Sequence, residues 1–172
     1  MNAKAKPLPV VRLRSTCSAV ALLLASAASA ATDPFLGTWM LNVQKSSYPP
    51  GKLPKRMIIQ MEAAGDGIRY HSETTDAGGR ATTAEYVAGY DGKEAIVKGR
   101  VGLLLPVSLK RVDSNTVEAS YLRGFQVVAT SRRVVSKDGL VMTVTTTSKD
   151  QDGNSVSNLG IYDRTAEAAT RR

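Results

Sequence analysis

Between Arg56 and Arg164 the sequence is cut at short, regular intervals by glycine-containing turn signals, and the pieces between them alternate apolar with polar residues. Met57, Ile59 and Met61 alternate with Ile58, Gln60 and Glu62 before AAGDG. Ile68 and Tyr70 lead a segment to Thr75 and the DAGG turn, and Arg80–Tyr90 follows with Ala84, Tyr86 and Ala88 on one face. After Asp91-Gly92 come a short strand at Glu94–Lys98 and another from Val107 to Val112. Asp113-Ser114-Asn115 then turns into Val117, Ala119 and Tyr121, and Arg123-Gly124 into Phe125–Ser136. Lys137-Asp138-Gly139 introduces Leu140–Ser148, and DQDG at 150–153 introduces Asn154–Arg164. Alternation with a period of two marks half-buried strands, and Asp-Gly suits the positive φ of tight hairpin turns.

With one strand before this series, the pattern predicts about ten strands at roughly 8–12-residue spacing and no helix between them, the signature of a sandwich or barrel. Turns this short join neighbours, whereas sandwiches need longer crossovers. An open meander would also leave two unpaired edges, which closure removes. The expected fold is all-β: a single up-and-down antiparallel barrel over residues 31–164.

The chain before the barrel has a different character. Residues 1–14 carry Lys4, Lys6, Arg12 and Arg14 and no acid, Ser15–Leu24 is largely apolar, and small residues follow up to Ala28-Ser29-Ala30. This is the layout of a secretory signal peptide cleaved after Ala30, which implies a periplasmic or secreted protein. The apolar run is shorter than the ~20 residues of a spanning helix, and no longer one follows, so no transmembrane segment is expected in the mature chain. The single cysteine, Cys17, precedes the apolar run, so the mature chain has neither a disulfide nor a thiol ligand. The whole chain's charge of +8, less the four basic residues of 1–30, leaves +4 spread over scattered positions. That is no footprint for nucleic acid. Residues 165–172, TAEAATRR, are expected to form a disordered basic tail.

The mature chain opens with Asp33-Pro34-Phe35-Leu36-Gly37-Thr38-Trp39-Met40-Leu41, which holds the only tryptophan. This stretch resembles the first strand of the calycins, the superfamily of lipocalins and fatty-acid-binding proteins, and is closest to the F-x-G-T-W-x-L of the latter. Gly160-Ile161-Tyr162-Asp163-Arg164 is similar to their last strand, and the whole mature chain resembles small secreted bacterial lipocalin-like proteins. The resemblance implies that the first and last strands pair, with Gly37, Trp39 and Arg164 forming the closure and the arginine lying across the indole. Two departures stand out. The helix-turn-helix lid of fatty-acid-binding proteins is replaced by QKSSYPPGKLPK, whose prolines exclude a helix. Their Arg-x-Tyr carboxylate grip falls at Gly160 and Tyr162, so its arginine is missing here.

The inward face is expected to hold Trp39, Leu41, Val43, Met57, Ile59, Met61, Ile68, Tyr70, Ala84, Tyr86, Val107, Leu109, Val117, Ala119, Tyr121, Val127, Ala129, Val135, Met142, Val144, Gly160 and Tyr162. Small residues leave space and tyrosines lend polar handles, which suits a small amphipathic or hydrophobic ligand. The cavity candidates are Tyr70, Tyr86, Tyr121, Tyr162, Met61 and Met142. Nothing points to catalysis, a cofactor or a metal. His71, the sole histidine, sits between Arg69 and Glu73 on an outward face, and DQDGN is similar to a calcium loop but lacks its closing glutamate. One apolar stretch, Val101–Leu105, admits two readings: an early start of the strand holding Val107, or a hydrophobic loop at the barrel mouth. Leu103, Leu104, Leu105 and Tyr48 are the rim candidates. They would matter most if the chain were instead a protein-interaction module, in the manner of periplasmic protease inhibitors built on a related barrel.

Overall fold

The computed structural model describes residues 32–100 and 102–165. Within them the chain is all-β. Twelve strands form one sheet: β1 (Gly37–Leu41), β2 (Arg56–Ala64), β3 (Gly67–Thr75), β4 (Ala81–Gly89), β5 (Asp91–Ala95), β6 (Lys98–Gly99), β7 (Gly102–Leu103), β8 (Val107–Asp113), β9 (Thr116–Arg123), β10 (Gln126–Val135), β11 (Val141–Lys149) and β12 (Ser155–Thr165). Their order is β5-β8-β9-β10-β11-β12-β1-β2-β3-β4-β6-β7, every pairing antiparallel. The meander runs as the turn spacing implies, and the first and last strands pair, with Trp39 opposite Arg164 and Leu41 opposite Tyr162.

The sheet curls round without a complete hydrogen-bonded wall. β4 and β5 follow each other in sequence but share no ladder, because β5 pairs with β8 while β4 pairs with β6. The expected single strand at 94–98 is therefore two, and the chain crosses this seam between Ala95 and Lys98. Val101 lies outside the described residues, and the rest of the apolar stretch, Gly102–Leu105, is neither an early strand start nor a free loop. Gly102 and Leu103 fold back on Lys98 and Gly99 as a small hairpin against β4, and β8 begins only at Val107.

Antiparallel register sorts the connections into two ends. Residues 32–36 and the turns at 65–66, 114–115 and 136–140 gather at the end where β1 begins. The 42–55 connection, the 96–106 segment and the turns at 76–80, 124–125 and 150–154 gather at the other. In the first hairpin the positive φ falls on Gly65, so the turn is Gly65-Asp66 and Gly67 already belongs to β3. Between β1 and β2 the chain is irregular, held to β12 by the Ser47–Leu159 bridge.

The core is the inward face of this curl: Trp39, Leu41, Ile59, Met61, Ile68, Val107, Leu109, Val117, Ala119, Val135 and Met142 are all buried. Met57, Ala84, Tyr121, Ala129 and Val144 are half-buried, and two expected inward residues are exposed. Val43 stands in the turn after β1, past the end of the alternation, and is 36% exposed. Val127 is 54% exposed because the β9–β10 register shifts between Val127 and Ala129, which lifts the tip of β10 out of the core pattern. Phe35 and Val97, outside the strands, are buried instead.

Candidate functional site: a buried arginine among tyrosines

The two ends are built differently. At the closed end Trp39 is 0% exposed, its indole N–H donates to the Phe35 carbonyl at 2.9 Å, and the Arg164 guanidinium lies 4.1 Å from the ring centroid. Arg164 also donates to the carbonyls of Pro34, Leu36 and Gly139, so its charge ties the N-terminal segment and the β10–β11 turn to β12. Gly37 permits this approach. Its φ is +117°, and a Cβ there would stand 2.6 Å from an Arg164 nitrogen. Beside it Arg111 pairs with Asp33 and lies 3.9 Å from the Tyr90 ring centroid, while the Tyr90 hydroxyl donates to Asp33 at 2.8 Å. Burial, followed by the neighbouring Asp33, pushes the Tyr90 phenol well above its usual range.

Toward the open end lies a cavity of about 150 Å³. Of the candidate cavity residues, Met61, Tyr70, Tyr121, Met142 and Tyr162 line it, joined by Met57 and Arg133. Tyr48, expected at the rim, lines it too. Its hydroxyl reaches over Gly160, where a Cβ would meet it at 3.0 Å and the Tyr162 ring at 2.8 Å. The position matching the missing arginine of the fatty-acid-binding grip is thus occupied by two tyrosines. Tyr86 lines a second, more open recess of about 380 Å³ under Val97, Leu104 and Leu105. The cavity and the recess share Met57, Tyr70, Tyr121 and Arg133. Leu104 and Leu105 therefore stand at the mouth; Leu103 lies in β7, and nothing is described of its side chain.

Arg133 is the residue the sequence reading overlooked. It is 5% exposed, and its guanidinium donates to the Tyr86 hydroxyl at 3.0 Å and the Tyr121 hydroxyl at 3.3 Å. It also stands 5.3 Å from the Tyr70 ring centroid, and Tyr70 in turn stacks on Tyr86 with centroids 4.6 Å apart. The signal was present: Val135 was placed inward, and β10 alternation puts Arg133 and Ser131 on the same face. Among the described residues no carboxylate lies within ion-pairing distance of it. Removing a guanidinium from water costs several kcal/mol, which two phenol hydrogen bonds at about 1 kcal/mol each and a cation–π contact of ~1–2 kcal/mol offset only partly. Among the described residues only two of its N–H groups have protein partners, so donors remain for an acceptor that enters the cavity.

The charge shapes its surroundings. Burial pushes Tyr86 and Tyr162 well above their ordinary values. Burial acts on Tyr121 in the same sense and most strongly, but the Arg133 charge, together with hydrogen bonding to Ser131 and Arg133, brings that phenol below its usual value. Burial favours the neutral form of Arg133 as well; the three tyrosines overcome this and keep the guanidinium charged. An interior of this kind suits a small molecule with a carboxylate, sulfonate or similar group, held by charge-assisted hydrogen bonds against apolar methionine walls.

The other candidates stay outside the cavity. His71 is on the outer face with its ring 3.8 Å from Glu73. Asp150 accepts backbone N–H bonds from Asp152 and Asn154, so DQDGN closes its own turn. Among the described residues no cluster of potential metal ligands occurs.

No protein-family model matches the sequence, and no curated protein does. Solved structures do. The zebrafish ileal bile acid-binding protein, in complex with cholic acid, aligns with a TM-score of 0.52 over 77% of this chain and 99% of its own, at 12% identity. At that identity the likeness establishes the fold alone, a curled antiparallel barrel like that of the bile acid-binding protein, and leaves the ligand to the residues themselves.

Proposed function

We propose that the barrel binds a small amphipathic molecule whose anionic group meets Arg133 and whose apolar part lies against Met57, Met61 and Met142. The observation that carries this is the buried guanidinium with no carboxylate beside it, opening on a cavity at the shared wall of two recesses. A cavity of about 150 Å³ is benzene-sized, so a compact ring or a short chain fits better than an extended acyl tail. The reading is a binding protein rather than an enzyme. Calorimetry with benzoate and its neutral amide, benzamide, tests it: the acid binds, the amide binds at least about tenfold more weakly, and Arg133→Met abolishes the difference. Equal binding of acid and amide, or no binding of either, overturns it.

From the signal-peptide layout of residues 1–30 we also propose that the barrel works outside the cytoplasm after their removal. Intact-mass measurement of protein from the periplasmic fraction should give a chain starting at Ala31. A chain retaining Met1 there rules the cleavage out.

A further inference from the structure

The cavity mouth lies at an end of the barrel whose surface has a character of its own. At the tip of the β9–β10 hairpin Phe125 is fully exposed, where a lone aromatic gains nothing from the fold. Val127, lifted outward by the register shift, follows it, and Leu104 is exposed on the neighbouring segment. Leu105 links these to the interior. It lines the recess that holds Arg133, and also a groove along Val127, Gln126 and Arg123. Apolar surface thus runs from the cavity to the rim and ends on a protruding phenyl ring.

The charge around that ring is one-sided. The 42–55 connection carries Lys45, Lys52 and Lys55 and no acid, and the 96–106 segment carries Lys98 and Arg100 and no acid. All five are exposed, as is Arg123 beside Phe125. The turn at 150–154 holds the two acids Asp150 and Asp152 next to Lys149, and at 76–80 Asp76 pairs with Arg80, so neither turn reverses the sign. The opposite end carries Asp33 and Asp66 on its connections, Asp113 at the end of β8, and Lys137 beside Asp138 in the 136–140 turn. A protruding aromatic among lysines and arginines, at an end whose basic residues outnumber its acids, complements a surface that is negative outside and apolar beneath.

We propose that this end docks on an anionic lipid bilayer, Phe125 entering the headgroup layer and the lysines of the 42–55 and 96–106 segments meeting lipid phosphates. Docked so, the mouth under Leu104 and Leu105 faces the bilayer, and the closed end with Trp39 points away. The docking stands apart from the ligand reading: it rests on the outer rim and is measured without any cavity ligand.

Co-sedimentation with vesicles of equal parts phosphatidylglycerol and phosphatidylcholine, against phosphatidylcholine alone, tests it on the full chain. Wild type should bind the anionic vesicles at low salt, lose most binding at high salt, and ignore the neutral ones. Any contribution from residues 1–30 is common to all variants, so the comparisons between them decide. Phe125→Ser and Lys52→Glu should each weaken binding by roughly fivefold or more, whereas Val112→Ser, exposed near the opposite end, should leave it unchanged. In a Phe125→Trp variant, lipids brominated along the acyl chain should quench the new indole while the buried Trp39 stays unquenched. Equal binding by Phe125→Ser and wild type overturns the proposal, as does binding to neutral vesicles alone. Self-association of the chain that Phe125→Ser abolishes, in the absence of vesicle binding, assigns the rim to a protein partner and overturns it equally.

Discussion

Arg164 and Arg133 both stand against aromatic rings inside one barrel, and they differ in what answers their charge. Arg164 has three backbone carbonyls and the face of Trp39. Arg133 has two phenol hydroxyls and the face of Tyr70, and donors to spare. Arg111 lies with the first of these, since Asp33 answers it directly. A half-buried cation whose partners are all supplied by the fold is a fastener. A buried one left short of acceptors beside a cavity destabilises the empty barrel, and such a residue persists where a ligand completes it.

Four measurements sharpen or break this contrast. The largest effect is expected of Arg164→Ala, which strands three carbonyls and uncovers the indole. Urea unfolding should show a loss of about 3 kcal/mol, and a loss under about 1 kcal/mol would remove the fastener reading. Arg133→Met should move the other way, raising stability by about 1 kcal/mol or leaving it unchanged, because an incompletely answered buried charge is replaced by an isosteric apolar chain. A loss of several kcal/mol there makes Arg133 structural and erases the distinction.

The tyrosines give a third measurement. Of the six, burial raises Tyr48, Tyr70, Tyr86, Tyr90 and Tyr162, and only Tyr121 is lowered, by Arg133. For the raised phenols the sign follows from linkage. Their stabilising contribution is complete below the unfolded-state value of about 10 and is lost as pH climbs from there toward their folded values, since the unfolded chain ionises first. Stability should therefore fall steeply above about pH 10. Ultraviolet titration of the native protein should show one phenol ionising ahead of the rest, and Arg133→Met should abolish that early phase. The smallest effect belongs to Val127→Ser, within about 0.5 kcal/mol of wild type, because the side chain stands outside the core.

The meander was legible because hairpins are local. Gly-containing turns and two-residue alternation state which strand follows which, and β2 through β4 and β8 through β12 fall where the pattern puts them. Errors collected where alternation stops describing the chain. Val43 lies past a strand end, Val127 past a register shift, and the 91–103 stretch divides between two edges of the sheet. Arg133 was hidden by chemistry rather than by period. Its face was readable from Val135, but in a pair of adjacent arginines, Arg132 and Arg133, charge argues for solvent, and only one of the two obeys.

By itself the sequence determined the order of the hairpins and most of the inner wall, since these rest on neighbours in the chain and on period, while the pairing of Trp39's strand with that of Arg164 was implied by the resemblance to fatty-acid-binding proteins. The tertiary structure alone decided where the wall stays open, which arginine goes inside, and that Tyr48 and Tyr162 fill the space over Gly160. Those outcomes depend on residues from β3, β4, β9, β10, β12 and the 42–55 connection converging on one volume, and no local pattern records how a volume is shared.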